Sequence, residues 1–298
     1  MKINTQQFRA LFCALSLMCS CTAWGAGEAA IKLSFPKDID DHIISCCGKP
    51  VTGGIKSITQ NSGGAWSVKI DFDKEGRVVK ISDINDGKVP KYSRFKYNKQ
   101  GHAVKKEYVD NGYKSSITIT PDEQGNPLKR ITKEGGNKEE VSFTYDFASR
   151  QVKATLGNSD FPKRIYIFNE QGRVTACQDM LSSQMTRTTR YAYNPNGRIV
   201  RIEEIKERDN RYEHSVDSTC TTFTFNAQGL WEKVEKNTCT IGQDKDKDGN
   251  VKEKQSSTKS ASTLYSGYEI DAQGNVTRYT ETSTGNKSRT VNRSIVYY

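Results

Sequence analysis

Apolar and polar residues alternate through most of the chain beyond about residue 60. Trp66, Val68, Ile70 and Phe72 fall on one side of one such run, and Tyr191/Tyr193 and Phe223/Phe225 repeat the arrangement further on. A period of two puts these side chains on one face of an extended strand and leaves the other face polar. The runs are punctuated by a recurring stop of Asp or Asn, two variable residues, Gly and often Arg. Its copies are IDFDKEGRVVKI, FKYNKQGHAVKK, ITPDEQGNPLKR, FTYDFASRQVKA, YIFNEQGRVTAC, YAYNPNGRIVRI, FTFNAQGLWEKV and YEIDAQGNVTRY. An Asp or Asn that opens a four-residue turn bonds back to the following backbone, and a glycine three residues later takes the left-handed conformation at little steric cost. Each copy therefore predicts a β-hairpin with a type I turn followed by a G1-type bulge.

The marker positions are Gly76, Gly101, Gly125, Ser149, Gly172, Gly197, Gly229 and Gly274, at intervals of 25, 24, 24, 23, 25, 32 and 45 residues. Self-similarity at such a period signals a repeat architecture. Gly249 divides the last interval into 20 and 25, and DKDGNVKE then lies on DAQGNVTR as a degenerate ninth copy. Nine hairpins make about 18 strands, more than a twisted open sheet carries flat. The expected fold is all-β, with repeated antiparallel hairpins over 61–298 forming a long meander sheet that curls with its aromatic face inside. Residues 26–60 are read as a capping segment, in which FPKDIDDHIISCCGK places Ile39, Ile43 and Cys46 or Cys47 at helical spacing before Gly48. SRTVNRSIVYY predicts a last strand. Its terminal aromatic suits the closing strand of an outer-membrane barrel, but the other strands lack outward apolar bands, which sets that architecture aside.

Composition narrows the picture. Only 34% of the residues are hydrophobic and the mean hydropathy is −0.74, which argues against one thick two-sided core. At the N-terminus Lys2 and Arg9 precede an apolar run over 10–18, and Ala23 and Gly25 stand as a cleavage site, so 1–25 reads as a signal peptide and the mature chain as periplasmic or secreted. A lipoprotein anchored through Cys21 is the other reading, with Met18, Cys19 and Ser20 making a poor lipobox. No later apolar run approaches the roughly 18 residues of a membrane-spanning helix. Loss of the leader leaves Cys46, Cys47, Cys177, Cys220 and Cys239, and five cysteines cannot all pair within one chain. A Cys220–Cys239 bridge is favoured, with the connectivity otherwise open.

YNPNGRI at 193–199, FNEQGRV at 168–174 and FDKEGRV at 72–78 resemble the YD repeats of the RHS family, and the likeness extends over about Trp66 to Arg278. The resemblance implies a β-rich spiral sheet enclosing a hollow shell, usually around a toxin, and an association with carbohydrate binding. The chain has no Asp-Pro pair and no toxin-sized extension after Tyr298, so the resemblance implies a small exported binding protein without a toxin.

Four residues after successive markers stand Lys80, Lys105, Lys129, Lys153, Arg201, Lys233 and Arg278. Hairpins in register would align them as a basic stripe able to hold a glycan or an anionic envelope polymer, in keeping with a formal charge of +10 that falls by two with the leader. A solvated strand face whose lysines discourage edge pairing is the plainer reading. Asp244, Asp246 and Asp248 have the spacing of a calcium loop, but Gln255 stands where a bidentate Glu is required, so at most a weak calcium site is expected and otherwise no cofactor. None of His42, His102 and His214 lies in a nucleophile motif, and no enzyme activity and no nucleic-acid partner are expected. The functional expectation is an exported glycan- or envelope-binding protein, with a structural or interaction role, as chaperone or immunity-type partner of another secreted protein, as the alternative.

Overall fold

The computed structural model describes residues 53–298 apart from 62–64, 158, 160, 210–212, 246–250 and 286, and leaves undescribed the side chains of 213, 244, 245 and 251–255. The expected leader, the expected short helix, and Cys21, Cys46 and Cys47 lie outside the described residues.

Eighteen strands follow one another: β1 (Ile55–Asn61), β2 (Trp66–Phe72), β3 (Val78–Asn85), β4 (Lys88–Tyr97), β5 (Ala103–Asp110), β6 (Tyr113–Pro121), β7 (Pro127–Glu134), β8 (Asn137–Asp146), β9 (Gln151–Leu156), β10 (Pro162–Phe168), β11 (Val174–Ser182), β12 (Met185–Tyr193), β13 (Ile199–Asp209), β14 (Glu213–Phe225), β15 (Trp231–Lys245), β16 (Val251–Ile270), β17 (Val276–Ser283) and β18 (Lys287–Tyr297). Each pairs antiparallel with the next, as β2 does with β3 and β17 with β18. The last also pairs antiparallel with the first, Ile58 opposite Ile295 and Asn61 opposite Asn292. The result is a closed up-and-down barrel, which the even strand number permits without a parallel joint.

This corrects the expected open meander. An open sheet leaves two edges of unpaired backbone groups, and the β1–β18 pairing removes both. It also corrects the ninth repeat. The 45-residue interval holds two long strands, β15 of 15 residues and β16 of 20, whose ends at Lys245 and Val251 lie at the rim opposite the marker turns, and Gly249 itself falls outside the described residues. The ninth place at the marker rim is the seam between β18 and β1, which no turn joins among the described residues.

The marker turns form as their chemistry dictates. Asp73 N donates to Arg77 O at 2.9 Å and Gly76 N to Asp73 O at 3.0 Å. Asp73 Oδ1 accepts from the backbone of Glu75 and Arg77 at 3.1 and 2.8 Å. The same set recurs at Asp122, Asn169, Asn226 and Asp271. A bulge precedes these turns, between Asp71 and Phe72 and between Lys96 and Tyr97 for example. The hairpins are then tied to one another. Tyr97 donates to Val78 O at 2.7 Å, Tyr193 to Val174 O at 2.6 Å and Tyr268 to Trp231 O at 2.6 Å. Arg77 lies over the Tyr97 ring at 4.8 Å, and Arg198 reaches the next turn to donate to Gly229 O at 2.6 Å.

Strand register sorts the side chains between two faces. Ile58, Ile70 and Ile81 lie opposite one another on β1, β2 and β3, and the first two are fully buried. Val141, Val152, Ala154, Cys177, Tyr279 and Val291 share that inward face. The alternate positions point outward and are mostly hydroxyl or charged, as with Arg94 and Lys96 on β4, Thr118 and Thr120 on β6, and Ser142 and Thr144 on β8, all exposed. The two apolar clusters are each assembled from neighbouring strands, one around Ile58 and Ile70 and the other around Leu230 and Tyr279. Inward residues such as Ile117, Phe143, Tyr166, Tyr191 and Phe223 remain only half-buried. The barrel thus encloses a lumen, as the large circumference of so many strands requires.

Candidate functional site

The lumen divides by depth. Near the marker rim its wall is aromatic and aliphatic: Ile70 and Phe72, then Phe95, Phe143, Tyr166, Tyr191, Phe223 and Tyr265. Part of this wall is a continuous row of rings. Phe223 and Trp231 are stacked at 5.9 Å, Trp231 and Tyr265 are 5.5 Å apart, and Tyr265 and Tyr279 follow at 6.2 Å.

Further from that rim the wall becomes charged. Asp179 on β11 is buried and accepts from Arg164 on β10 and, at 2.6 and 2.9 Å, from Arg187 on β12. Burial alone would raise the Asp179 carboxyl, but the two guanidinium groups outweigh it and hold it below the usual carboxylate range. Glu139 takes Lys163 at 2.9 Å and Arg130 at 3.4 Å. Arg293 on β18 has no carboxylate partner among the described residues: its Nε donates to Gln60 Oε1 at 2.9 Å, and its Nη1, like Arg130 Nε, is buried without a partner. Burial lowers its pKa to about 10.

Burial pushes the inward Cys177 thiol up to about 11, which leaves it a poor nucleophile at neutral pH. His102 packs its ring against Gly125 at the marker rim, and His214 stands 3.7 Å from Asp209 near the opposite one. Among the described residues no group of three metal-ligating side chains comes together. Chemically the lumen is suited to binding, with apolar surface near one end and fixed charges beyond it.

The expected basic residues keep equivalent places. Lys80, Lys105, Lys129, Lys153, Arg201, Lys233 and Arg278 stand opposite Asp71, Lys96, Thr120, Thr144, Ala192, Thr224 and Glu269 in turn, each on the outward face near the marker rim. Closure spreads them round the circumference, so they do not converge on one patch. Most are matched by acids: Lys105 with Glu107, Lys129 with Glu140, Arg201 with Glu203, Lys233 with Glu235 and Arg278 with Glu269. Lys80 instead lies over the Tyr92 ring at 5.3 Å. Cys220 and Cys239 occupy β14 and β15 two positions out of register, opposite Asn237 and Ser218, and both are free thiols. Asp244 lies in β15, while Asp246 and Asp248 fall outside the described residues.

Sequence reasoning missed the charged lumenal groups Arg164, Asp179, Arg187 and Arg293. A signal existed, because each sits at an inward position of an alternating strand, where an apolar residue is the default.

No family model and no curated protein matches the chain. Among solved structures, it is similar to a porin-like protein from Bacteroides vulgatus, with 10% identity and a TM-score of 0.39 over 83% of this chain and 99% of that one. A porin-like protein from Bacteroides uniformis matches at 13% identity and a TM-score of 0.29, over 89% and 100%. The closed ring itself overturns the resemblance to the RHS family: the turn motif belongs to alternate hairpins of one barrel and not to a spiral shell of stacked repeats. A glycan-binding face on a curled sheet goes with it, since no such open sheet exists.

Proposed function

We infer that the chain is a water-facing barrel that holds a small apolar molecule in its lumen. The observation that carries this reading is the contrast between the faces: half-exposed aromatic rings line the inside, while lysines, glutamates, serines and threonines cover the outside. A barrel embedded in lipid needs the outward face apolar over about 25 Å of its height. Basic side chains there cost about 2–4 kcal/mol each at the bilayer midplane and about 0–1 near its interfaces, and the outward face is polar both near the marker rim, at Lys96, Lys105, Lys129 and Lys153, and further along the strands, at Glu140, Gln178 and Thr188. An exported compartment, periplasmic or extracellular, is supported by the basic-then-apolar leader.

The test is to purify the chain without detergent and titrate it with N-phenyl-1-naphthylamine, a neutral probe that fluoresces in apolar surroundings. Saturable binding that is lost in Phe223→Lys and kept in the outward variant Thr224→Lys supports the reading. Absence of binding, or equal loss in both, sinks it. A second reading, a transmembrane channel, is favoured by strand number, because barrels of 16–18 strands leave an aqueous channel. Monodisperse behaviour in plain buffer with no conductance in a planar bilayer would dismiss it; a requirement for detergent together with stable conductance steps would put it first.

A further inference from the structure

We propose that the lumen takes a flat aromatic monocarboxylate, its ring system on the Phe223–Trp231–Tyr265 row and its carboxylate on Arg293. This deepens the lumenal reading above and rests on it. Three observations meet at Arg293. The side chain is 7% exposed, on the inward face opposite Gln60. Its guanidinium lies over the Tyr279 ring at 5.5 Å, so the row of rings ends on a positive charge. Its Nη1 is buried and unpartnered, and among the described residues no carboxylate bonds to the group. Glu281, two residues along β17 from Tyr279, is engaged by Arg289 at 2.5 Å.

Carboxylates hold the inward Arg130, Arg164, Arg187 and Arg289, and among the described residues none holds Arg293. Arg164 and Arg187 share Asp179, and Arg130 has Glu139 although its Nε is also buried without a partner. A buried cation is strongly unfavourable unless an anion and further hydrogen bonds compensate it. Gln60 is neutral and supplies one acceptor, so the fork of the guanidinium still lacks the planar oxygen pair it matches best. An anion with an apolar body answers both features: the row offers stacking surface, and the arginine offers the charge.

The probes are naphthalene-2-carboxylate and the neutral naphthalene-2-carboxamide, measured by equilibrium dialysis on the whole chain. The expected result is that the carboxylate binds at least about tenfold more tightly than the amide, the effect of one charge-assisted bidentate contact. Arg293→Gln should erase that gap while leaving the amide affinity unchanged, and Arg293→Lys should keep part of it. Far-ultraviolet circular dichroism confirms that each variant still forms its sheet. Should Arg293→Gln fail to fold, the wild-type carboxylate-to-amide ratio alone decides the matter. Equal binding of the two probes overturns the arginine site and leaves the lumenal reading standing, with a buried water then completing Arg293. A gap that survives Arg293→Gln also overturns the site and moves the charge elsewhere on the inner wall. Binding of neither probe overturns both readings.

Discussion

The two rims of the barrel are built on different turn chemistry. At the marker rim, four-residue turns such as 73–77 and 194–198 are cross-linked to their neighbours by tyrosine hydroxyls and arginine side chains. At the opposite rim Asp86-Gly87, Asn111-Gly112 and Gly135-Gly136 each make a two-residue loop with both residues at positive φ, and the reach beyond the hairpin is by backbone, Asp86 N donating to Ala65 O at 3.3 Å and Asn111 N to Pro90 O at 2.7 Å. The marker rim therefore adds side-chain ties between successive hairpins to the backbone bonds that both rims make. That division lets strand length vary at one end alone. β14, β15 and β16 run to 13, 15 and 20 residues without disturbing the aligned turns at the other.

The seam is where this difference should cost most. Tyr297 donates to Asp271 at 2.5 Å, accepts from Asn275 at 3.0 Å and packs on the cluster around Ile58 and Ile70. Tyr298 donates across β1 to Phe72 O at 2.6 Å. Tyr297→Ala removes a ring and its hydrogen bonds together, for an expected loss of about 3 kcal/mol. Tyr113→Ala, at the opposite rim and 46% exposed, should cost less than about 0.5 kcal/mol. Urea unfolding of both variants measures the contrast, and equal losses would mean that the seam carries no special share of closure.

Glycines sharpen the same comparison. Gly197 has φ 78° and an added Cβ would meet the Arg173 guanidinium at 2.5–2.7 Å; Gly112 has φ 90° and open space around it. Alanine at 112 pays only the left-handed backbone, about 1 kcal/mol, whereas alanine at 197 must also displace Arg173 and should cost about 2–3 kcal/mol. Thermal melts that rank the two variants the other way would remove the packing argument. Tyr193→Phe isolates the cross-link itself. Losing one hydroxyl donated to Val174 O should cost about 1 kcal/mol with no change in secondary structure.

The rims also show what was legible. Asx-x-x-Gly fixed the marker turns and their bulges, and alternation fixed which side chains face inward, because both are local properties of the chain. Closure was not local. It depends on Ile58 finding Ile295 across most of the sequence, and no pattern within either strand announces that pairing. The 45-residue gap misled because Gly249 fits the turn pattern, whereas β15 and β16 are simply long. The opposite rim was readable and went unread: NDGK, DNGY and EGGN carry the Asp-Gly, Asn-Gly and Gly-Gly signals of two-residue hairpins. The lumenal site was legible only as charges at inward positions, and their pairing required the register.

Ser149 is the exception among the markers, and it yields a gain in place of a loss. Without glycine there, the left-handed residue moves to Arg150, with φ 54°. Its side chain makes an exposed contact with Glu170 at 2.9 Å, which contributes little. Arg150→Gly should therefore raise stability by about 0.5–1 kcal/mol, the strain relieved less the flexibility added. An unchanged or lower melting temperature would show that the Glu170 contact outweighs the strain.

The smallest effect separates aspartate from asparagine within one rim. For Asp73, burial raises the carboxyl pKa, but hydrogen bonds from the Arg77 backbone and side chain bring it below 3.8; for Asp146 the bonds from Ser149 do the same. A carboxyl with a lowered folded pKa adds stability that is fully present above the unfolded value of about 3.9. That stability is lost as pH falls through the folded pKa. Asn98, Asn169, Asn194 and Asn226 hold the same turns without titrating. The double variant Asp73→Asn, Asp146→Asn should keep both turns and lose less melting temperature than the parent between about pH 6 and pH 2.5. If parent and variant fall in parallel, the acid sensitivity of the barrel resides in other carboxylates, of which buried Asp179 between its two arginines is the first to substitute.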